Sequence, residues 1–246
     1  MSLSIKPNPD VPYLIRHADD DLLVVEKPGG VVTQPGKGHQ YDSLMNGLFA
    51  EYGHALQNLG ESRDWGLLHR LDKETSGLVL VALRNAAWEH LLEQFKQRQV
   101  KKRYWAIVYG RPKPAQGVIQ KPIAEVVAAR KKAVLSREGQ PAITAYKVLA
   151  ESATDSGGPG VSLIEARPKT GRLHQIRVHM AGLGHPVLGD DVYKGRIALP
   201  TVPRLCLHAA ELSFLHPTTG HRLTITCEWP DDLRRTLKRF GLREPE

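Results

Sequence analysis

A chain of 246 residues with 41% apolar and 24% charged side chains can bury a full core, which excludes disorder and a small disulfide-stapled scaffold as starting points. No run approaches the roughly 18 to 20 apolar residues of a membrane span, and the start MSLSIKPNPDVPYLI lacks a basic segment followed by an apolar one, so no membrane association and a cytoplasmic location are expected. Lys and Arg number 34 against 26 Asp and Glu, a net charge of +8 that suits a polyanionic partner better than a small neutral one.

In chain order, Pro7, Pro9 and Pro12 mark residues 1–20 as an extended N-terminal arm. Leu22 to Glu26 reads as a strand, turned at Pro28-Gly29-Gly30 into a second short extended piece. In YDSLMNGLFAEYG, Asp42 is the expected N-cap, Leu44, Met45, Leu48 and Phe49 follow at helical spacing, and Gly53 stands at the end. Residues 54–66 read as a loop. Leu78 to Leu83 is a continuous apolar strand, after which Asn85 is the expected cap of a helix striped with Ala87, Trp88, Leu91, Leu92 and Phe95.

YWAIVYG, residues 104–110, is the next strand, with others near 118–123, 142–150 and 161–167 and a loop, SATDSGGPG, before the last. Leu173, Ile176, Met180 and Leu183 recur at helical spacing and predict a helix with a polar face of His174, Gln175, Arg177 and His179 opposite. RLCLHAAELSFLHP and HRLTITCEWP read as two strands joined through Pro217 to Gly220, and DDLRRTLKRFG as a terminal helix. Strands and helices lack the regular beat of a doubly wound fold, so the expected class is α+β with a large mixed, mainly antiparallel sheet and flanking helices. No linker divides the chain, and residues 21–246 read as one catalytic domain, expected to act as a monomer. Cys206 and Cys227, the only cysteines, sit in apolar alternating segments and read as packing residues.

Two basic clusters stand out: KQRQVKKRY, with Lys101, Lys102 and Arg103, and RKKAVLSR, with Arg130, Lys131 and Lys132. Each alone is as readily a solvated face as a phosphate-tracking surface; two flanking one strand region favour the latter. Asp72, in LLHRLDKETSGLVLVA, stands at the mouth of a strand, where a carboxylate serves as nucleophile, base, metal ligand or simple turn cap. Tyr104 is either sheet packing or a ring for base stacking. The chain has 11 histidines but no His-Glu-x-x-His, and His174 and His179 are poorly spaced as helical ligands, so no metal is expected. Phosphate-loop and kinase signatures are absent from the sequence.

The order and spacing of VVEKPGGVVTQPG, HRLDKETSGLVLVA, KKRYWAIVYG, PKTGRLHQIRVHMAGLGHPVLGD and RLCLHAAELSF resemble the RluA-type family of RNA pseudouridine synthases, from about residue 20 to 228. That resemblance implies a mixed sheet with a central catalytic cleft, no cofactor, and structured RNA, tRNA or ribosomal, as partner. It also implies roles. Asp72 would act on the uridine being isomerised, Tyr104 would stack on its base, and Arg177 would be the basic partner of the aspartate. Arg70 would enter the RNA in place of the flipped nucleotide, and Leu207 would line the pocket. Only about 20 residues precede the first matching element, too few for the S4-type RNA-binding domain of some relatives, so loops such as 124–140, or the RNA itself, would set substrate choice. The reading from another class is an RNA-binding protein with a degenerate or secondary active site, and a metal-dependent nuclease is a third.

Overall fold

The computed structural model describes residues 3–60, 64–127, 131–152 and 160–245. The chain forms two compact units, Met1–Lys101 with Ala209–Cys227, and Lys102–His208 with Glu228–Glu246.

The first unit holds strands β1 (Leu14–Ala18), β2 (Leu22–Lys27) and β3 (Ser76–Ala82), most of a later strand, Leu207–Leu215, which becomes β10, and β11 (Arg222–Thr226). β1 pairs antiparallel with β2 through a register shift between Ile15 and His17, so the stretch expected as an arm contributes an edge strand. β2 pairs antiparallel with β3, Leu22 opposite Ala82 and Lys27 opposite Gly77, while β10 lies beside β3 and pairs with β11. Every residue of β3 is buried, which explains a continuous apolar run in place of alternation. On one face Leu22, Val24, Leu78 and Leu80 pack with Leu212 and Phe214 of β10 and with Trp88 and Leu91 of helix α2 (Asn85–Lys96).

Helix α1 (Leu44–Leu56) starts one residue later than the sequence suggested. Ser43 is its N-cap, with a reciprocal capping box to Asn46, while Asp42 is turned to His39 at 2.8 Å. Gly53 lies within α1, not at its end. Arg84 takes the N-cap position of α2, and Asn85 is its first residue.

The second unit contains β4 (from Lys101 to Tyr109), β5 (Gln116–Gln120), β6 (Ile123–Val127), β7 (Lys131–Leu135), β8 (Ile143–Glu151) and β9 (Val161–Pro168). The order β4-β9-β8-β5 is antiparallel throughout, and β6 and β7 form a separate hairpin. Part of the second basic cluster is therefore strand. Helix α3 (Gln175–Gly182) packs on β7, β8 and β9. In the terminal segment, Trp229 meets the edge of Trp105 at 5.8 Å between ring centroids. Helix α4 (Asp231–Arg239) follows, with Asp231 and Asp232 in its first turn and Lys238 and Arg239 in its last, as its dipole favours. The antiparallel pairings and flanking helices agree with the expected α+β class.

Candidate active site

Asp72 belongs to the first unit, on the segment that leads into β3. Before it the chain is fastened along β3: Ala82 N–H donates to Gly66 O at 2.8 Å, and Leu80 N–H donates to His69 Nε2 at 3.0 Å. His69 is thus a backbone acceptor, its ring lying against Phe95 at 5.4 Å. The two residues flanking Asp72 are then clamped by the turn after β2. Leu71 N–H donates to Thr33 Oγ1 at 3.1 Å, and Thr33 Oγ1 donates back to Leu71 O at 2.8 Å, so one hydroxyl satisfies both backbone groups of a buried residue.

On the other side Lys73 O accepts from Gly30 N–H at 2.8 Å and from Lys27 Nζ at 3.1 Å. Lys27 is completely buried, and its ammonium also donates to Pro28 O and Val31 O at 2.8 and 2.6 Å. A buried ammonium is tolerated only where its protons find acceptors, and three carbonyls converge on this one. Asp72 itself is half-buried, with Arg70, Lys73 and Glu74 exposed around it, and its carbonyl closes the turn by accepting from Thr75 N–H at 3.1 Å. Gly77 follows at φ +118, where an added Cβ would overlap Ala209 O and lie 2.6 Å from Ala209 N. Close approach of β10 thus demands the glycine of the TSG motif.

The other assigned residues lie in the second unit, apart from Lys101, which is exposed at the start of β4. Lys102 is half-buried, and burial pulls its ammonium down to about 8. Arg103 is also half-buried, paired with Glu165 at 3.8 Å and set over the Trp105 ring at 5.6 Å. Tyr104 is buried opposite Ala166 of β9. Lys132 is exposed on β7; Arg130 and the side chain of Lys131 lie outside the described residues. Leu207 is buried at the start of β10.

The helix carrying Arg177 is shorter than its spacing predicted, and its polar face is not solvated. His174 is not helical: it takes the N-cap position of α3 in the left-handed region, φ 50 and ψ 25, with its ring turned to the Tyr193 hydroxyl at 2.8 Å. The periodic pattern misled because buried polar residues replace the expected exposed ones. Gln175 Nε2 donates to Ile143 O and Thr144 Oγ1, and its Oε1 accepts from Thr170 Oγ1 and Arg172 N–H. His179, fully buried, faces Thr144 Oγ1 and Lys121 O at 2.9 Å each, and burial holds its pKa below the usual imidazole value. Arg177 is buried as well and forms a two-pronged pair with Asp190: Nε to Oδ2 at 2.7 Å and Nη2 to Oδ1 at 3.0 Å. Asp190 Oδ1 also accepts from Val192 and Tyr193 N–H, which fixes it in a turn.

A family model described as RNA pseudouridylate synthase matches residues 21–182. The dual-specificity RNA pseudouridine synthase RluA of Escherichia coli strain K12 is 41% identical over 219 residues, 88% of this chain and 93% of that protein. The chain belongs to the RluA-type family of RNA pseudouridine synthases. The ribosomal large subunit pseudouridine synthase D of Zymomonas mobilis is 37% identical over 93% of this chain and 73% of its own length. Among solved structures, the human RNA pseudouridylate synthase domain containing 4 superposes with a TM-score of 0.73 at 31% identity, covering 95% of both chains. A pseudouridine synthase is an intramolecular isomerase, and the mainly antiparallel sheet with flanking helices is its fold.

For this pseudouridine synthase, the motif residues were legible from sequence, and their supports were not. Thr33, Lys27, Asp190 and Tyr193 carry no spacing signal; the structure alone shows what they hold. Asp19, Asp21 and His216 form one of two groups among the described residues whose metal-type ligand atoms lie within 4.8 Å of one another. His216 Nδ1 accepts from the N–H groups of Thr218 and Thr219, so the neutral ring carries its proton on Nε2, facing Asp19 at 3.1 Å. A metal would need that same nitrogen, and Arg84 already pairs with Asp21, so the group fits a turn lock rather than a cation site.

Proposed function

We propose that this pseudouridine synthase isomerises particular uridines of tRNA or ribosomal RNA, with Asp72 acting on the sugar of an extruded nucleotide and Tyr104 and Arg177 serving the same reaction. The observation that carries the proposal is the clamp on both neighbours of Asp72, which fixes the main chain on either side of a half-buried carboxylate. Such preorganisation is what a positioned catalytic group needs. The substrate class follows the names of the relatives, one a dual-specificity enzyme and one acting on the large ribosomal subunit.

In the reaction the C1′–N1 bond breaks, the uracil turns, and a C1′–C5 bond forms while C5 loses its proton and N1 gains one. No oxidant, reductant or water enters the balance, in keeping with a reaction that needs no cofactor. The base has to leave the stack first, at a cost of roughly a few kcal/mol. Exposed Arg70 fills the gap, the Tyr104 ring stacks on the extruded base, and Leu207 lines its pocket. Lys101, Lys102, Arg103 and the cluster of Arg130, Lys131 and Lys132 supply attraction to phosphates that is independent of sequence. Residues 21–246 work as one catalytic domain, to which residues 1–20 add the edge strand β1. The enzyme works as a monomer in the cytoplasm, a compartment that suits two buried cysteines outside any disulfide.

The test is release of tritium from uracil C5 to water. Wild-type protein on labelled RNA from cells lacking it releases the label, and Asp72→Asn abolishes release while RNA binding persists. Equal release by the two would remove Asp72 from the chemistry.

A further inference from the structure

We propose that Tyr193 is a positioning residue that ties the β6–β7 hairpin to Arg177, so that the strand carrying exposed Lys132, with exposed Arg137 in the turn just after it, and the buried guanidinium are held through one side chain. The inference rests on the reading of Arg177 as part of the reaction and of the hairpin as an RNA-facing element.

The tie runs through three contacts of the Tyr193 side chain. Its ring lies under the Arg177 guanidinium, 5.3 Å from Cζ to the ring centroid. Its hydroxyl accepts from Ala133 N–H of β7 at 2.9 Å. The same hydroxyl meets His174 Nδ1 at 2.8 Å. The backbone N–H can only donate, so the hydroxyl oxygen accepts from Ala133; towards His174 the hydroxyl donates when Nδ1 carries no proton and accepts when it does.

Each end of this chain is costly to arrange. Ala133 is fully buried and lies opposite Glu125, yet its N–H is directed to the phenol. That edge of the hairpin is thus sealed by a side chain in place of a further strand. His174 occupies the left-handed region, which a residue with a Cβ seldom adopts, and makes no side-chain cap to α3. Backbone strain of this kind persists where surrounding contacts determine it. Here the contact is the imidazole of His174 on Tyr193, whose ring also packs into the cluster of Ile123, Ala133, Ala142 and Val178. Arg177, three residues further on, is held also by Asp190, which accepts from Tyr193 N–H too. The backbone of Tyr193 thus sets the carboxylate, and its ring sets the guanidinium.

Two substitutions separate the tasks. Tyr193→Phe keeps the ring and removes the hydroxyl; it should raise KM for RNA about fivefold and leave kcat within about twofold, as loss of one buried hydrogen-bonded tether predicts. Tyr193→Leu removes the ring as well and should lower kcat by a further factor of about ten. The assay is tritium release from C5-labelled bulk tRNA and ribosomal RNA of cells lacking the protein, read with the thermal midpoint and with hydrogen exchange at the Ala133 amide. That amide should exchange faster in both variants. Parallel changes of KM and kcat in the two, or loss of thermal stability with unaltered kinetic constants, would overturn the division of tasks. Unchanged exchange at Ala133 would overturn the tether. Wild-type protein releasing no label would refute the pseudouridylation reading instead, and the exchange measurement would still decide whether the tether exists.

Discussion

Replacing Thr33 by Val tests whether the clamp on Leu71 is what holds Asp72. Valine matches threonine in shape, so little cavity is opened, and the change comes down to the hydroxyl. Thr33 is 4% exposed and Leu71 7%, so the freed N–H and C=O of Leu71 have little access to water. A buried backbone group without a partner costs about 1–3 kcal/mol. Two such groups, with some local relaxation, amount to about 2–4 kcal/mol, which for a chain of this size lowers the thermal midpoint by about 4–8 °C. The catalytic loss should be larger than stability alone would give, because a displacement of about 1 Å in a positioned group costs roughly 100-fold. The assay pairs thermal melting with tritium release at saturating RNA, well below the new midpoint. Thr33→Ser, which keeps the hydroxyl, should restore most of kcat. A Thr33→Val protein with wild-type melting and wild-type kcat would refute the clamp, and a Ser variant as inactive as the Val variant would show that the hydroxyl is not the reason.

Lys27→Met removes three charge-assisted bonds along with the cost of burying the ammonium; a net destabilisation of about 2–4 kcal/mol is expected, with kcat reduced at temperatures where the protein is still folded, and wild-type melting would count against the lysine as an anchor. Burial disfavours the charge of Lys102 and pulls its ammonium down to about 8. It is charged below that value and loses its charge as pH rises through it, whereas RNA phosphates draw its pKa back up. RNA affinity should then fall by about tenfold between pH 7 and pH 9, Lys102→Met should abolish that dependence, and an identical pH profile for the two proteins would contradict the assignment. Burial pushes the Cys206 thiol up to about 12 and raises Cys227 as well. Neither should react with iodoacetamide at pH 8 in native protein, both should react in denaturant, and rapid native labelling, read by mass spectrometry, would mean the packing is looser than described.

The strands β2, β3 and β10 and the helices α1 and α2 were legible in the sequence because each buries an apolar set, while β11, which buries no residue fully, shows as an alternation and α4 through Leu233 and Leu237. β1 was not, since Leu14 and Ile15 are exposed on an edge strand and give no burial pattern. Nor was β7, where the charges of Lys131 and Lys132 masked a strand whose buried residue is Ala133. The error over α3 has a different origin. Gln175, Arg177 and His179 are polar and buried, and periodicity read from hydrophobicity assigns such residues to solvent. In the candidate site, Asp72, Tyr104 and Arg177 stood out through motif resemblance. Thr33 and Lys27 act on backbone carbonyls 38 and 46 residues away, and nothing in local spacing encodes such a partner.

Those separations bear on how the family can vary. Both anchors of Asp72 lie at the near end of a long covalent loop that contains α1 and the stretch 57–66. Closure entropy depends only logarithmically on length, so ten residues added to that loop would cost about 0.2 kcal/mol. Fastening the aspartate to a distant turn by two short-range contacts therefore frees the intervening chain to lengthen, shorten or acquire new surface without moving the carboxylate. The chemistry and the surface that selects RNA can then diverge at different rates within one polypeptide.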